Sequence, residues 1–179
     1  MKKIKLFLLV VCCSFSSCEK DDICDANTPT TPRMVIRFFD INNPTVEKEV
    51  TNLKVIGEGM TVGVVFNPSA TGELKYLANT SVIKLPLKTN ATTTTFRFIF
   101  NSGSTNPAFI NTDILQFNYT TQEVFVSRAC GFKNIFEMNI QSPFVHTDGP
   151  NGDQKWMKFV SLQKTNLTDE NETHLSIFF

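Results

Sequence analysis

The sequence has little of what most enzyme chemistry requires. Its 179 residues include one Trp, two Tyr and two His. Nucleophilic catalysis needs a base beside a Ser, Cys or Thr. His146 and His174 are the only imidazoles, and no Gly-x-Ser-x-Gly elbow accompanies them. A Gly-rich phosphate loop is absent, and without a Cys-x-x-Cys pair nothing points to zinc. Basic charge is not in excess either. Lys plus Arg number 17, as do Asp plus Glu; without residues 1–17, which hold Lys2, Lys3 and Lys5, 14 bases face 17 acids. That balance argues against a nucleic-acid partner. Gly and Pro, at 8 each, are too few for a collagen-like or low-complexity chain. Also missing are an internal repeat and any helical stripe of ten or more residues.

What the chain does have is a hydrophobic fraction of 41%, ordinary for a globular protein, and 17 Phe. Its length suits one domain with a real core. The Phe surplus reads either as an aromatic ligand groove or as core packing, and seventeen can fill the interior of a sandwich.

Residues 1–17 have the parts of an export signal. Lys2, Lys3 and Lys5 precede an apolar run at 6–15, too short to span a bilayer, which takes about 20 residues. Small Ser16 and Ser17 then lead to Cys18. This resembles the bacterial lipobox, whose Cys becomes the first mature residue and is acylated on sulfur. Phe15 stands where Leu is commoner. Acylation at Cys18 would give stable membrane anchoring, where a single acyl chain is marginal. The alternative is secretion without lipid. Glu19-Lys20-Asp21-Asp22 follows. It resembles the Lys-acid-acid export code of surface lipoproteins; otherwise it is a solvated tether.

Cysteine arithmetic then becomes simple. Cys12 and Cys13 leave with the signal and Cys18 carries lipid, so Cys24 and Cys130 remain. In an oxidising compartment these two are expected to form a disulfide, worth roughly 4–5 kcal/mol on loop length alone. Two separate buried thiols are the alternative.

From Arg33 onward the dominant period is two. Strands are expected at 33–39, 46–56, 61–66, 81–87, 92–100, 114–120, 123–128, 132–140, 155–162 and 173–179. Thr120-Thr121-Gln122 is read as a hairpin turn, residues 142–153 as a turn-rich loop, and Pro86 as the mark of an edge strand or of a strand's end. The resulting fold class is all-β: an antiparallel β-sandwich of about ten strands, or else a small closed barrel. The domain is set at 33–179, behind a polar tether at 18–32.

Few constellations carry chemistry. Residues 147–153 are the best oxygen-ligand loop, through Asp148, Asn151 and Asp153, but their spacing is not that of an EF-hand, and a plain turn is the simpler reading. Glycosidases need two convergent carboxylates; Asp113, Glu123 and Glu137 are scattered. His174 falls within the last strand pattern.

The lipobox, Cys24-Asp25, the Thr/Pro linker, the run Arg33-Met34-Val35-Ile36-Arg37-Phe38-Phe39-Asp40 and the later Ser127-Arg128-Ala129-Cys130-Gly131-Phe132 together resemble a domain-of-unknown-function family of Bacteroidota outer-membrane lipoproteins. The resemblance implies a single exported β-domain and supplies no catalytic residues. The expectation is therefore an envelope lipoprotein held at the outer membrane, on its surface or periplasmic face. It would be a non-enzymatic binding or accessory module for a protein or glycan, without cofactor, metal or nucleic acid. The alternative is a hydrolase of envelope or extracellular glycans.

Overall fold

A computed structural model describes residues 23–28 and 30–179. The export signal expected at 1–17, the lipidation expected at Cys18 and the export code expected at Glu19-Lys20-Asp21-Asp22 fall outside the described residues. Period-two sequence becomes strand where alternate side chains find a core to enter. The strands are β1 (Met34–Phe39), β2 (Leu53–Gly57), β3 (Leu77–Ala78), β4 (Val82–Leu85), β5 (Thr93–Phe100) and β6 (Asn111–Ser127). They continue with β7 (Gly131–Met138), β8 (Phe144–Asp148), β9 (Phe159–Leu162), β10 (Asn166–Leu167) and β11 (Leu175–Phe178).

Two sheets result. One has the order β4-β1-β11-β9; the other runs β10-β7-β6-β5-β2-β3, with β8 also on β6. Both end in edge strands, so the fold is a β-sandwich and not a closed barrel. Phe96 and Phe98 of β5, Leu115, Phe117 and Tyr119 of β6, and Phe136 and Met138 of β7 are buried from one sheet. Met34, Ile36 and Phe38 of β1 and Leu175 and Ile177 of β11 meet them from the other, in one continuous cluster. Five Phe are buried in this cluster and Phe66, Phe100, Phe144 and Phe179 pack against it, each buried ring removing a large apolar area from water.

The sandwich is not wholly antiparallel. β1 and β11 pair in parallel, Ile36 opposite Leu175 and Phe38 opposite Ile177. The first and last strands have the rest of the chain between them, so no short turn forces them antiparallel. β4 takes the edge beside β1 and ends at Leu85, just before Pro86.

Several expected boundaries move. Thr120-Thr121-Gln122 is not a turn but the middle of β6, a continuous strand of 17 residues. β-branched Thr extends a strand readily, and this triplet has no residue suited to positive φ. The hairpin instead turns at 127–131, where Gly131 has φ 70°. Residues 61–66 do not form a strand; Val64 N–H donates to Val55 O at 2.8 Å, and β3 takes the place beside β2. The expected strand at 46–56 shrinks to β2, because Asn52 turns the backbone to φ 44°.

The turn-rich loop at 142–153 contains a strand. β7 and β8 lie end to end along one side of β6, for Tyr119 faces Met138 while Phe117 faces Phe144. Two residues of β6 therefore span six on the other strand, and four extra residues loop out around Asn139 to Pro143. Beyond Tyr119, β6 has no buried residue, so the β6–β7 hairpin projects past the core.

Candidate functional site

Three places in the fold gather polar or reactive groups. The first is where the N-terminal segment meets the sandwich. Cys24 and Cys130 form a disulfide, with Cα atoms 4.9 Å apart, which excludes separate thiols. Thr28 Oγ1 lies 3.4 Å from Cys130 Sγ. Thr31 Oγ1 accepts from the Asn134 N–H at 3.0 Å, and Arg33 closes the series on Glu170. The polar tether expected at 18–32 is therefore fastened from Cys24 onward along the projecting hairpin.

That fastening changes the energetics of the disulfide. The bond closes a loop of 106 residues in the unfolded chain. In the folded chain Thr31 is already held beside the hairpin, so breaking the bond frees only the short stretch from Cys24 to Thr31. At about 0.6 kcal/mol per doubling of loop length, the difference is roughly 2–2.5 kcal/mol, below the 4–5 kcal/mol of loop length alone.

Glu170 is held by three donors of Arg33. The backbone N–H donates to Oε1 at 3.0 Å, Nε to Oε1 at 2.8 Å and Nη2 to Oε2 at 2.8 Å. Lys84 Nζ stands 2.9 Å from Oε2. The Arg33 hydrogen bonds, with those of Lys84, outweigh partial burial and bring the carboxyl down to about 2 from an ordinary 4.5. A lowered folded value means that the stabilisation is complete above about 4.5 and disappears as pH falls toward about 2. Solvent reaches this group, so screening reduces its worth to roughly 1 kcal/mol. Glu170→Gln is expected to lose about that much in urea unfolding at pH 7, and to match the parent chain near pH 2.

The second place is the Asp113–His146 pair. Asp113 on β6 is fully buried. Its Oδ2 lies 2.8 Å from His146 Nε2 on β8 and accepts from the Met157 N–H at 2.9 Å, while Oδ1 accepts from the Trp156 N–H at 3.3 Å. Trp156 donates its ring N–H to Phe98 O at 3.2 Å. The pair thus pins residues 156–157 across the end of the sandwich, where the Trp156 ring stacks on Phe100. An acid beside an imidazole could move protons, but this acid is occupied by backbone donors.

Next to it, the loop singled out for oxygen ligands closes on itself. Asp148 accepts from the Gly149 N–H at 2.9 Å and the Gln154 N–H at 3.0 Å, an arrangement typical of turns. Asn151 and Asp153 are exposed. Among the described residues no three His, Cys, Asp or Glu side chains converge in a metal-binding group. Glu123 and Glu137 are exposed on the hairpin while Asp113 is buried, so the scattered acids share no site. His174 is buried, its Nδ1 accepting from the Val35 N–H at 2.9 Å. Burial pushes its pKa below the usual range and keeps the ring neutral.

The third place is an apolar cleft of about 270 Å³ beside the end of β2, lined by Met60, Val62, Val64, Pro86 and Phe96. At its edge the Thr94 hydroxyl meets Tyr119 OH at 2.5 Å and accepts from the Lys88 N–H at 3.0 Å, so its polar atoms are paired within the fold.

Residues 52–179 match a family described as "Family of unknown function (DUF6452)". The chain belongs to that family. The DUF6452 match takes in Cys130, Asp113, His146 and Glu170 and begins after β1, so Cys24 and Arg33, the partners of Cys130 and Glu170, lie outside it. No curated protein and no solved structure matches the chain.

Neither the Asp113–Trp156–Met157 network nor the Arg33–Glu170 clamp was visible in the sequence. Both join residues far apart in the chain, and no local motif signals such pairs.

Proposed function

We propose that this chain is a cell-envelope lipoprotein, exported under the direction of residues 1–17 and anchored at the outer membrane through acylated Cys18. Its β-domain serves as a non-enzymatic binding or accessory module for a protein or glycan. The observation that carries this reading is the Cys24–Cys130 disulfide. Disulfides persist in oxidising compartments, as an exported domain requires. The bond joins the two cysteines left over once the signal and Cys18 are set aside. A non-enzymatic role is supported by Asp113, the buried acid beside an imidazole, whose oxygens are spent on loop N–H groups.

Replacing Cys18 with Ala is expected to move the protein from the membrane fraction to the soluble fraction of the host cell. Unchanged membrane retention would contradict the anchor.

A further inference from the structure

The β6–β7 hairpin carries apolar groups that the fold does not use. Phe125 and Phe132 face each other across the two strands, their rings in a T-shaped pair with centroids 5.4 Å apart. They are 56% and 62% exposed, and Ile23, on the segment held by the disulfide, is 82% exposed. Ile23 and Phe125 line the same concavity of about 390 Å³, together with Arg128 and Cys130. This apolar surface lies at the projecting tip of a hairpin, next to the bond that fixes the N-terminal segment.

We propose that this tip is a membrane-docking face, seated in the interface of the bilayer that holds the anchor. The inference rests on the acylation of Cys18 proposed above. Cys24, bonded to Cys130 at the hairpin turn, comes only six positions after Cys18. At 3.3–3.6 Å per residue the tip lies at most roughly 20 Å from the acylated residue. Were Thr31 the first fixed point, the reach would be roughly 45 Å, and the domain could stand clear of the lipid. The disulfide therefore does more than stabilise. It shortens the leash and selects which end of the sandwich meets the membrane.

Aromatic and aliphatic side chains suit the boundary between headgroups and acyl chains. Charge adds little, since Arg128 and Lys133 on the hairpin are balanced by Asp25 and Glu123. β1 runs away from this end, starting beside Arg33 and finishing at Phe39, which stacks on Phe178. Phe159 packs on that same Phe178, so its exposed ring marks the far end of the molecule.

The test uses the full acylated chain, purified from membranes and reconstituted into phosphatidylethanolamine–phosphatidylglycerol vesicles, with and without brominated acyl chains. Phe132→Trp and Phe159→Trp report from the two ends, while buried Trp156 supplies a constant background. The expected result is an about twofold loss of Phe132→Trp emission in brominated vesicles and no change for Phe159→Trp. Vesicle flotation is scored in the same samples. Protein that floats with an unquenched Phe132→Trp overturns the docking face and leaves the anchor standing; dimeric elution would then assign the patch to a second copy. Protein that does not float overturns both.

Discussion

Asp113→Ala is expected to cost roughly 3–5 kcal/mol of unfolding free energy. The carboxylate is fully buried and accepts from the Trp156 and Met157 backbone N–H groups, with His146 Nε2 2.8 Å away. Truncation leaves two buried donors and an imidazole nitrogen without partners, while His146 itself keeps partial contact with solvent. Each buried orphan donor costs about 1–3 kcal/mol. Asp113→Asn keeps the shape and one acceptor oxygen but brings an NH2 toward backbone donors, so an intermediate loss of roughly 2 kcal/mol is expected. Chemical denaturation measures both. Trp156, the only Trp in the chain, gives a local reading: its emission should shift to the red in Asp113→Ala if the 156–157 segment is released. An Asp113→Ala protein within about 1 kcal/mol of the parent would contradict the role assigned to this acid.

Gly149→Ala is expected to be nearly as damaging, for a different reason. A Cβ at Gly149 would stand 2.3 Å from Thr112 O and 2.9 Å from Thr112 Cβ. Thr112 is not free to yield, because it sits in β6 opposite Ile99 of β5, within the central ladder. Either the loop after β8 must lift or the β6 backbone must move, and overpacking of this kind costs roughly 2–4 kcal/mol. For a chain of this length that is a fall in Tm of roughly 5–15 °C. Gly152→Ala in the same loop is the control. Its φ of +62° disfavours a side chain, yet nothing lies within 4 Å of the added Cβ, so only about 1 kcal/mol should be lost. Equal melting temperatures for the two variants would show that contact with Thr112 is not what fixes Gly149.

Local rules explain which parts of this fold could be read from sequence. β5 was legible because Phe96, Phe98 and Phe100 alternate with Thr95, Arg97 and Ile99, and one set enters the core. Pro86 marked an edge strand or a strand's end because it donates no N–H to a neighbour, and β4 is an edge strand that stops at Leu85. The Cys24–Cys130 bond was legible by elimination, one pair remaining after the cysteines of the expected signal and anchor were set aside. β6 was cut in two because its second half alternates without a core to bury, which weakens the pattern where the hairpin leaves the sandwich. β8 was hidden by the Asp148-Gly149-Pro150 turn after it and by a polar face that rests on a buried acid. The parallel β1–β11 pair and the Arg33–Glu170 clamp depend on packing between the two ends of the chain, and no short window contains both partners.

The proposed lipoprotein combines an acylated Cys18 with a domain fastened by Cys24 and Cys130. Non-reducing mass spectrometry of the chain purified from membranes tests both at once. The expected result is a protein whose first residue is Cys18 bearing acyl chains, with Cys24 and Cys130 in one linked peptide. A chain that keeps residues 1–17 with an unmodified Cys18, or that shows Cys24 and Cys130 alkylating freely, would contradict it.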